Sequence, residues 1–347
     1  MCKSKLASDR LFVFVFLGVL ALSSVHAEDA QKVYPMRFAN ITSNDTQERL
    51  AQKFIDLVNE KSGGRIDGKL YSAGALGSNL EVLRAVQMGS VQGNINPIGN
   101  LGNFVPQAGV FSTPWLFPGD SLEKKIENAT LAMHGKAAAE IKKLAAEKGF
   151  HIVSLFGLSP NLIFTRTKID SLEKIKGKKL RAIPGKEHSL AVTDWGALST
   201  GMSLPEVYTA VQQGVIDGFE LPPDVTVNLR LQEAAPNVAL TMHSTLIQFI
   251  LVGRDWYLSL PDNLKKSVDE AGNELERIGP AEYIKTETAA LRSLESDPRV
   301  TVVKLARDDL AKMQKLNEGG VWKGVIADPV KGPLFRLLQQ DVKELVR

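Results

Sequence analysis

Apolar and polar positions change period repeatedly along this chain. Val33 to Ala39 is dense in strand-forming residues, and the stretch from about Thr46 to Lys61 sets Leu50, Phe54, Ile55 and Val58 on one helical face. Gly63-Gly64 closes that helix, and Ile66 to Tyr71 resumes an extended run. Further strands are predicted at Ile152 to Phe156, Lys179 to Ile183, Thr245 to Val252 and Val300 to Lys304. Between them lie helices that include Pro261 to Arg277 and a run from Pro280 to Glu295. Alternation of this kind, with mostly crossover connections, belongs to the α/β class.

The pattern also repeats at long range. Glu81-Val82, Ala85-Val86-Gln87, Gly89 and Gly93 recur as Glu206-Val207, Ala210-Val211-Gln212, Gly214 and Gly218, every pair 125 residues apart. Each copy reads as a helix closed by a glycine, then a short run into a strand. Shared amphipathic composition accounts poorly for seven matches in one register, and the period is too long for a solenoid. Two related lobes are the better reading. A cleft between lobes is where small ligands bind, and two-lobed binding proteins close around them.

The first residues bear on compartment. Lys3, Lys5 and Arg10 precede an apolar stretch from Leu11 to Leu22, and Val25 and Ala27 stand at the −3 and −1 positions of a signal-peptidase site. Residues 1–27 are therefore expected to be a secretory signal, and the mature chain periplasmic. The stretch is shorter than the roughly 20 apolar residues a spanning helix needs. No comparable run follows, so no membrane insertion of the mature chain is expected. Cys2, the single cysteine, leaves with the signal, which removes disulfides, thiol nucleophiles and cysteine metal sites from consideration. Without the signal the net charge of +3 falls to about +1 and no polybasic run stands out, so nucleic acid is not an expected partner. The remaining length suits two lobes of roughly 100–200 residues.

A search for catalytic chemistry finds none. Gly89-Ser90-Val91-Gln92-Gly93 misplaces the serine of a nucleophile elbow, and Gly177 and Gly185-Lys186 fail the phosphate-loop spacing. His134, His151, His188 and His243 show no metal-ligand spacing, and no acidic calcium loop occurs. Neither an enzyme, a cofactor nor a metal is expected.

The segment Leu172-Glu173-Lys174-Ile175-Lys176-Gly177-Lys178-Lys179-Leu180-Arg181, then Pro184, then Glu206-Val207-Tyr208-Thr209-Ala210-Val211-Gln212-Gln213-Gly214-Val215-Ile216-Asp217-Gly218, carries a family resemblance. It closely resembles the solute receptors of TRAP (tripartite ATP-independent periplasmic) transporters, dicarboxylate-receptor branch. Gly74-Ala75-Leu76-Gly77 and the stretch from Phe104 to Phe117 look like the same family. The resemblance implies a two-lobed periplasmic binding protein fold with discontinuous lobes and a ligand cleft at the hinge. On that pattern residues 28–158 with 247–286 form lobe I, and 159–246 with 287–347 form lobe II. It also implies a receptor that captures a small organic acid and delivers it to TRAP membrane permease subunits. The alternatives are the receptor of an ABC importer or sensor, and a secreted hydrolase.

Arg181 matches the arginine that holds the ligand's carboxylate in the family, and a guanidinium fork suits that group. Many relatives carry a second arginine where this chain has Asn161, an asparagine where it has Leu221, and an aromatic where it has Leu204. One lost cation and more apolar surface point to a monocarboxylate with an apolar body. Further lining candidates are Asn44 in the first strand-to-helix loop, Asn96 after the first echo copy, Glu220, and the apolar walls Trp115 and Trp195. For the tryptophans the competing role is core packing, and for the asparagines a turn or cap. Glu220 can also pair with Arg181 or, as in one branch of the family, take part in a metal site.

Overall fold

The strand-forming runs assemble into two sheets in the computed structural model, which describes residues 32–346. The expected signal at residues 1–27 lies outside the described residues. The first sheet has the order β2-β1-β3-β10-β4, built from Tyr34–Ala39 (β1), Ile66–Tyr71 (β2), Gly93–Pro97 (β3), Phe150–Pro160 (β4) and Thr245–Gly253 (β10). The second has the order β11-β9-β5-β8-β6-β7, from Leu162–Thr165 (β5), Lys179–Ala182 (β6), Leu198–Gly201 (β7), Gly218–Leu221 (β8), Asn237–Ala239 (β9) and Thr301–Val303 (β11). In the first sheet β2, β1 and β3 run parallel and β10 antiparallel to β3. The second repeats this plan, with β7, β6 and β8 parallel and β5 antiparallel to β8. Apolar side chains alternate onto both faces of each sheet, so each is covered by helices or loops on two sides.

The sequence echo is a structural one. Helix Asn79–Gln87 opens on a capping box between Ser78 and Glu81, and Ser203 and Glu206 form the same box in the second copy. Gly89 and Gly214 follow the two helices at φ of 80° and 72°, the left-handed turn that glycine adopts without strain. The strands then begin at Gly93 and Gly218, where neighbouring chain crowds the backbone. A methyl at Gly93 would come within 2.7 Å of the Phe38 ring, and one at Gly218 would overlap the Phe164 carbonyl oxygen. Asp217 completes the second junction, accepting from the Lys179 N–H through its carboxylate at 2.8 Å and from the Arg166 N–H through its carbonyl at 2.9 Å. The Asp-Gly of the family-like block thus seats β8 between β5 and β6.

Two departures from the sequence reading stand out. Pro280 does not separate two helices: Asp262–Ser296 is one helix of 35 residues. A proline removes one backbone hydrogen bond. Packing holds the turn nonetheless, because Gly272 and Gly279 bring the helix against the Val153 carbonyl and within 2.5 Å (from a built Cβ) of the Phe156 ring on β4. The second departure concerns the C-terminus, assigned above to lobe II as part of 287–347. Helix Gly332–Leu345 instead buries Leu334, Phe335 and Leu338 in the core of the first lobe. Its apolar stripe finds the helices Leu122–Ala132 and Lys136–Glu147 there. The chain passes between the sheets at Asn161, again at 240–244, and along the long helix. No helix of the described residues is long and apolar enough to cross a membrane.

Candidate functional site

The carboxyl ends of parallel strands from both sheets meet at one cleft. Four pairs of residues lining it are related by the 125-residue echo: Asn79 with Leu204, Asn96 with Leu221, Pro97 with Pro222, and Asn100 with Val225. At two of these pairs the first lobe presents an amide and the second a leucine. Divergence of the two copies has therefore made one wall polar and the other apolar. Leu158, Ile183, Val225 and Leu246 extend the apolar wall.

On the polar wall the amides form a chain. Asn96 donates to Asn79 Oδ1 at 2.6 Å, and Asn100 donates to Asn96 Oδ1 at 2.8 Å. The last acceptor, Asn100 Oδ1, is buried with no partner among the described residues. A buried polar atom of this kind costs free energy until a ligand or water satisfies it.

Arg181 sits on β6 between Leu180 and Ala182, whose side chains turn into the opposite core. Its own side chain therefore points to the cleft and is only 3% exposed. Nε donates to the Met202 carbonyl at 3.1 Å, while Nη1 has no partner among the described residues. Burial pushes the guanidinium down to about 10, against the pull of Glu220 and Glu206, so it remains charged at neutral pH. A buried cation with an unused donor, lining an interlobe cleft, is built to take an oxyanion.

Of the remaining expected residues, Asn96 and Leu221 line the cleft and five do not. Asn44 is an exposed turn residue at φ 59°, its N–H donating to Glu48 Oε2 at 2.6 Å just ahead of helix Thr46–Lys61. Trp195 is core, donating to the Met313 carbonyl at 3.1 Å, and Trp115 donates to Asn317 Oδ1 at 2.9 Å. Asn161, at the strand crossing, is fully buried with both amide atoms lacking a partner. Glu220 lies on the far face of β8, because Phe219 and Leu221 on either side of it face the other core. There its carboxylate meets His243 Nε2 at 2.8 Å and His188 Nδ1 at 3.1 Å, and accepts from the Ile183 N–H at 3.3 Å. Burial alone would raise this carboxyl, but His188 and His243 hold it below the ordinary carboxylate range.

Sequence reasoning missed Asp45, Asp224, Glu287 and Tyr283, which come to the cleft from three helices. Asp45 caps helix Thr46–Lys61, accepting from the Glu48 N–H at 2.9 Å, and an Asp three residues before a Glu was a readable capping signal. Asp224 accepts from the Thr46 N–H at 2.9 Å and its hydroxyl at 2.7 Å, and donates its own N–H to Glu287 at 2.8 Å. These bonds tie the two sides of the cleft together. Among the described residues no group of three or more His, Cys, Asp or Glu is arranged to hold a metal ion. Chelator-treated protein is accordingly expected to bind its tightest carboxylate as well as untreated protein does, measured by calorimetry. Affinity that collapses with chelator and returns with calcium or sodium would show a metal-assisted site instead.

Residues 38–324 match the family described as bacterial extracellular solute-binding protein, family 7. The chain is 26% identical over 302 residues to a solute-binding protein of Sulfitobacter sp. (strain NAS-14.1), covering 86% of this chain and 90% of that one. Its fold is similar, at a TM-score of 0.84 and 20% identity, to the sugar acid binding protein DctPAm of Advenella mimigardefordensis in complex with galactonate, covering 90% and 99% of the two chains. It is similar at a TM-score of 0.84 and 23% identity to a TRAP periplasmic solute binding protein from Desulfovibrio salexigens with bound orotic acid, covering 90% and 100%.

Proposed function

We propose, for a chain that belongs to family 7 of the bacterial extracellular solute-binding proteins, the role of a periplasmic receptor that clamps the carboxylate of an organic monoacid on Arg181. Solute binding is the family's role, which bears out the expectations of a receptor and of no enzymatic activity. The resemblance read between Leu172 and Gly218 is borne out by the same match. The captured acid passes to the membrane permease of a TRAP transporter, and the chain reaches the periplasm by its N-terminal signal.

One observation carries the reading: a guanidinium 3% exposed, with Nη1 unpartnered, lining an interlobe cleft. Among the described residues Arg181 is also the only Lys or Arg lining that cleft. A second carboxylate buried there would find no cation, at a cost of several kcal/mol. Leu158, Leu204, Leu221 and Leu246 suit an apolar body instead. The proteins of similar fold support an acid ligand, one holding galactonate and the other orotic acid.

A thermal-shift screen of organic acids tests this, since a ligand that binds only the folded state raises apparent stability. Monocarboxylates are expected to outrank succinate, malate and sialic acid. A C4-dicarboxylate as the tightest ligand would overturn the monoacid reading.

A further inference from the structure

Three carboxylates line the same cleft as the one buried arginine, and the monoacid reading leaves them unused. Asp45, Asp224 and Glu287 come from separate helices and are 3%, 7% and 1% exposed. None has an ion-pair partner among the described residues. Arg49, in the first turns of helix Thr46–Lys61, is exposed and donates from Nη2 to the Thr46 hydroxyl at 2.7 Å. Glu220 and Glu206 are the acidic groups that pull on the charge of Arg181. Beside the carboxylates, Asn100 Oδ1 offers a buried acceptor with no donor. The cleft therefore ends in a hydrogen-bond donor with positive charge on one side, and in acceptors with excess negative charge on another.

We propose that the ligand carries a positively charged nitrogen as well as its carboxylate, the carboxylate held by Arg181 and the cationic group by Asp45, Asp224, Glu287 and the Asn100 amide oxygen. This rests on the reading of Arg181 as the carboxylate clamp and narrows the monoacid to a zwitterion. Sugar hydroxyls can also donate to these acceptors, but with a neutral donor the buried carboxylates can keep their charges only against burial and their mutual repulsion. A cation relieves that repulsion directly. The strain is visible in the groups themselves: burial, then the charge of Asp224, holds Glu287 well above its ordinary range, and burial pushes Asp45 up to about 6. A metal ion is the wrong cation for them, since the three are not arranged to hold one.

The test compares carboxylates that differ only in the charged nitrogen. Suitable pairs are glycine betaine with 3,3-dimethylbutanoate, 4-aminobutanoate with pentanoate, and 4-(aminomethyl)cyclohexanecarboxylate with 4-ethylcyclohexanecarboxylate. Each is titrated calorimetrically into the purified protein and into an Asp45→Asn variant, which keeps the helix cap because asparagine caps as well as aspartate. In at least one pair the zwitterion is expected to bind tenfold or more tightly than its uncharged-tail partner, and the Asp45→Asn change is expected to shrink that ratio. If the uncharged-tail acids bind equally or better in every pair that binds, the zwitterion proposal is overturned and the monoacid receptor stands. A wide ratio that Asp45→Asn leaves intact would also overturn the assignment of the cation to this wall. If no carboxylate of either kind binds, the Arg181 clamp fails with it.

Discussion

Changing Arg181 to lysine is expected to weaken carboxylate binding by roughly 30-fold to several thousand-fold while the protein remains folded. The range corresponds to about 2–5 kcal/mol, the usual effect of disrupting a buried, hydrogen-bonded charge pair. An ammonium provides the charge but not the planar fork, and its shorter reach leaves the position of Nη1 unfilled. Stability should move little, because burial already opposes the charge of this guanidinium and its one protein hydrogen bond goes to the Met202 carbonyl. Arg181→Met sharpens the contrast, since replacing a buried ion by an apolar residue of similar volume is often neutral or stabilising. Calorimetry reads the affinity and circular dichroism the fold. A folded Arg181→Lys protein of unchanged affinity would remove Arg181 from the site.

Glu220 has the opposite profile, with stability as its main effect. Glu220→Ala is expected to cost about 3–5 kcal/mol, the range for breaking a buried ion pair by removing one partner. The change leaves His243 and the Ile183 N–H without their shared acceptor and removes the carboxylate 3.1 Å from His188 Nδ1. The pH dependence follows from the direction of the shift. Because the folded carboxyl lies below the ordinary range, its stabilisation is fully present above about 4.5 and is lost as pH falls through its folded value. Wild type should therefore lose stability in acid faster than Glu220→Gln, with the gap between them narrowing below pH about 4.5. Urea titrations at several pH values measure this. Parallel curves for the two proteins down to strong acid would show that the carboxylate contributes no such term.

Local pattern was enough for much of the fold. Helix Thr46–Lys61 and strand Ile66–Tyr71 have the bounds expected of them, since an amphipathic stripe and a Gly-Gly stop are local signals. The echo likewise located two equivalent strands, and with them Asn96 and Leu221. Glu220 was misassigned to the cleft although the information was present. Alternation along β8 puts Leu221 and Glu220 on opposite faces, so both could not line it. Asp45, Asp224 and Glu287 had no comparable signal. They are far apart in a chain rich in carboxylates, and only tertiary packing decides which of them share a space. The C-terminal helix was legible as an amphipathic element, but not the lobe against which its apolar stripe would settle.

The long helix Asp262–Ser296 behaves mechanically as a beam clamped at both ends. Leu264, Val268, Ala271 and Leu275 fix its first half in the core of one lobe, with the glycine contacts to β4 preventing any sliding there. Leu294 fixes its far end in the core of the other. Tyr283, beyond Pro280, still belongs to the first lobe's core, so any change in the angle between the lobes must be absorbed between Tyr283 and Leu294. Glu287 lies in that stretch and lines the cleft. Flexure of the beam and the shape of the binding surface are thus coupled through the stretch that carries Glu287.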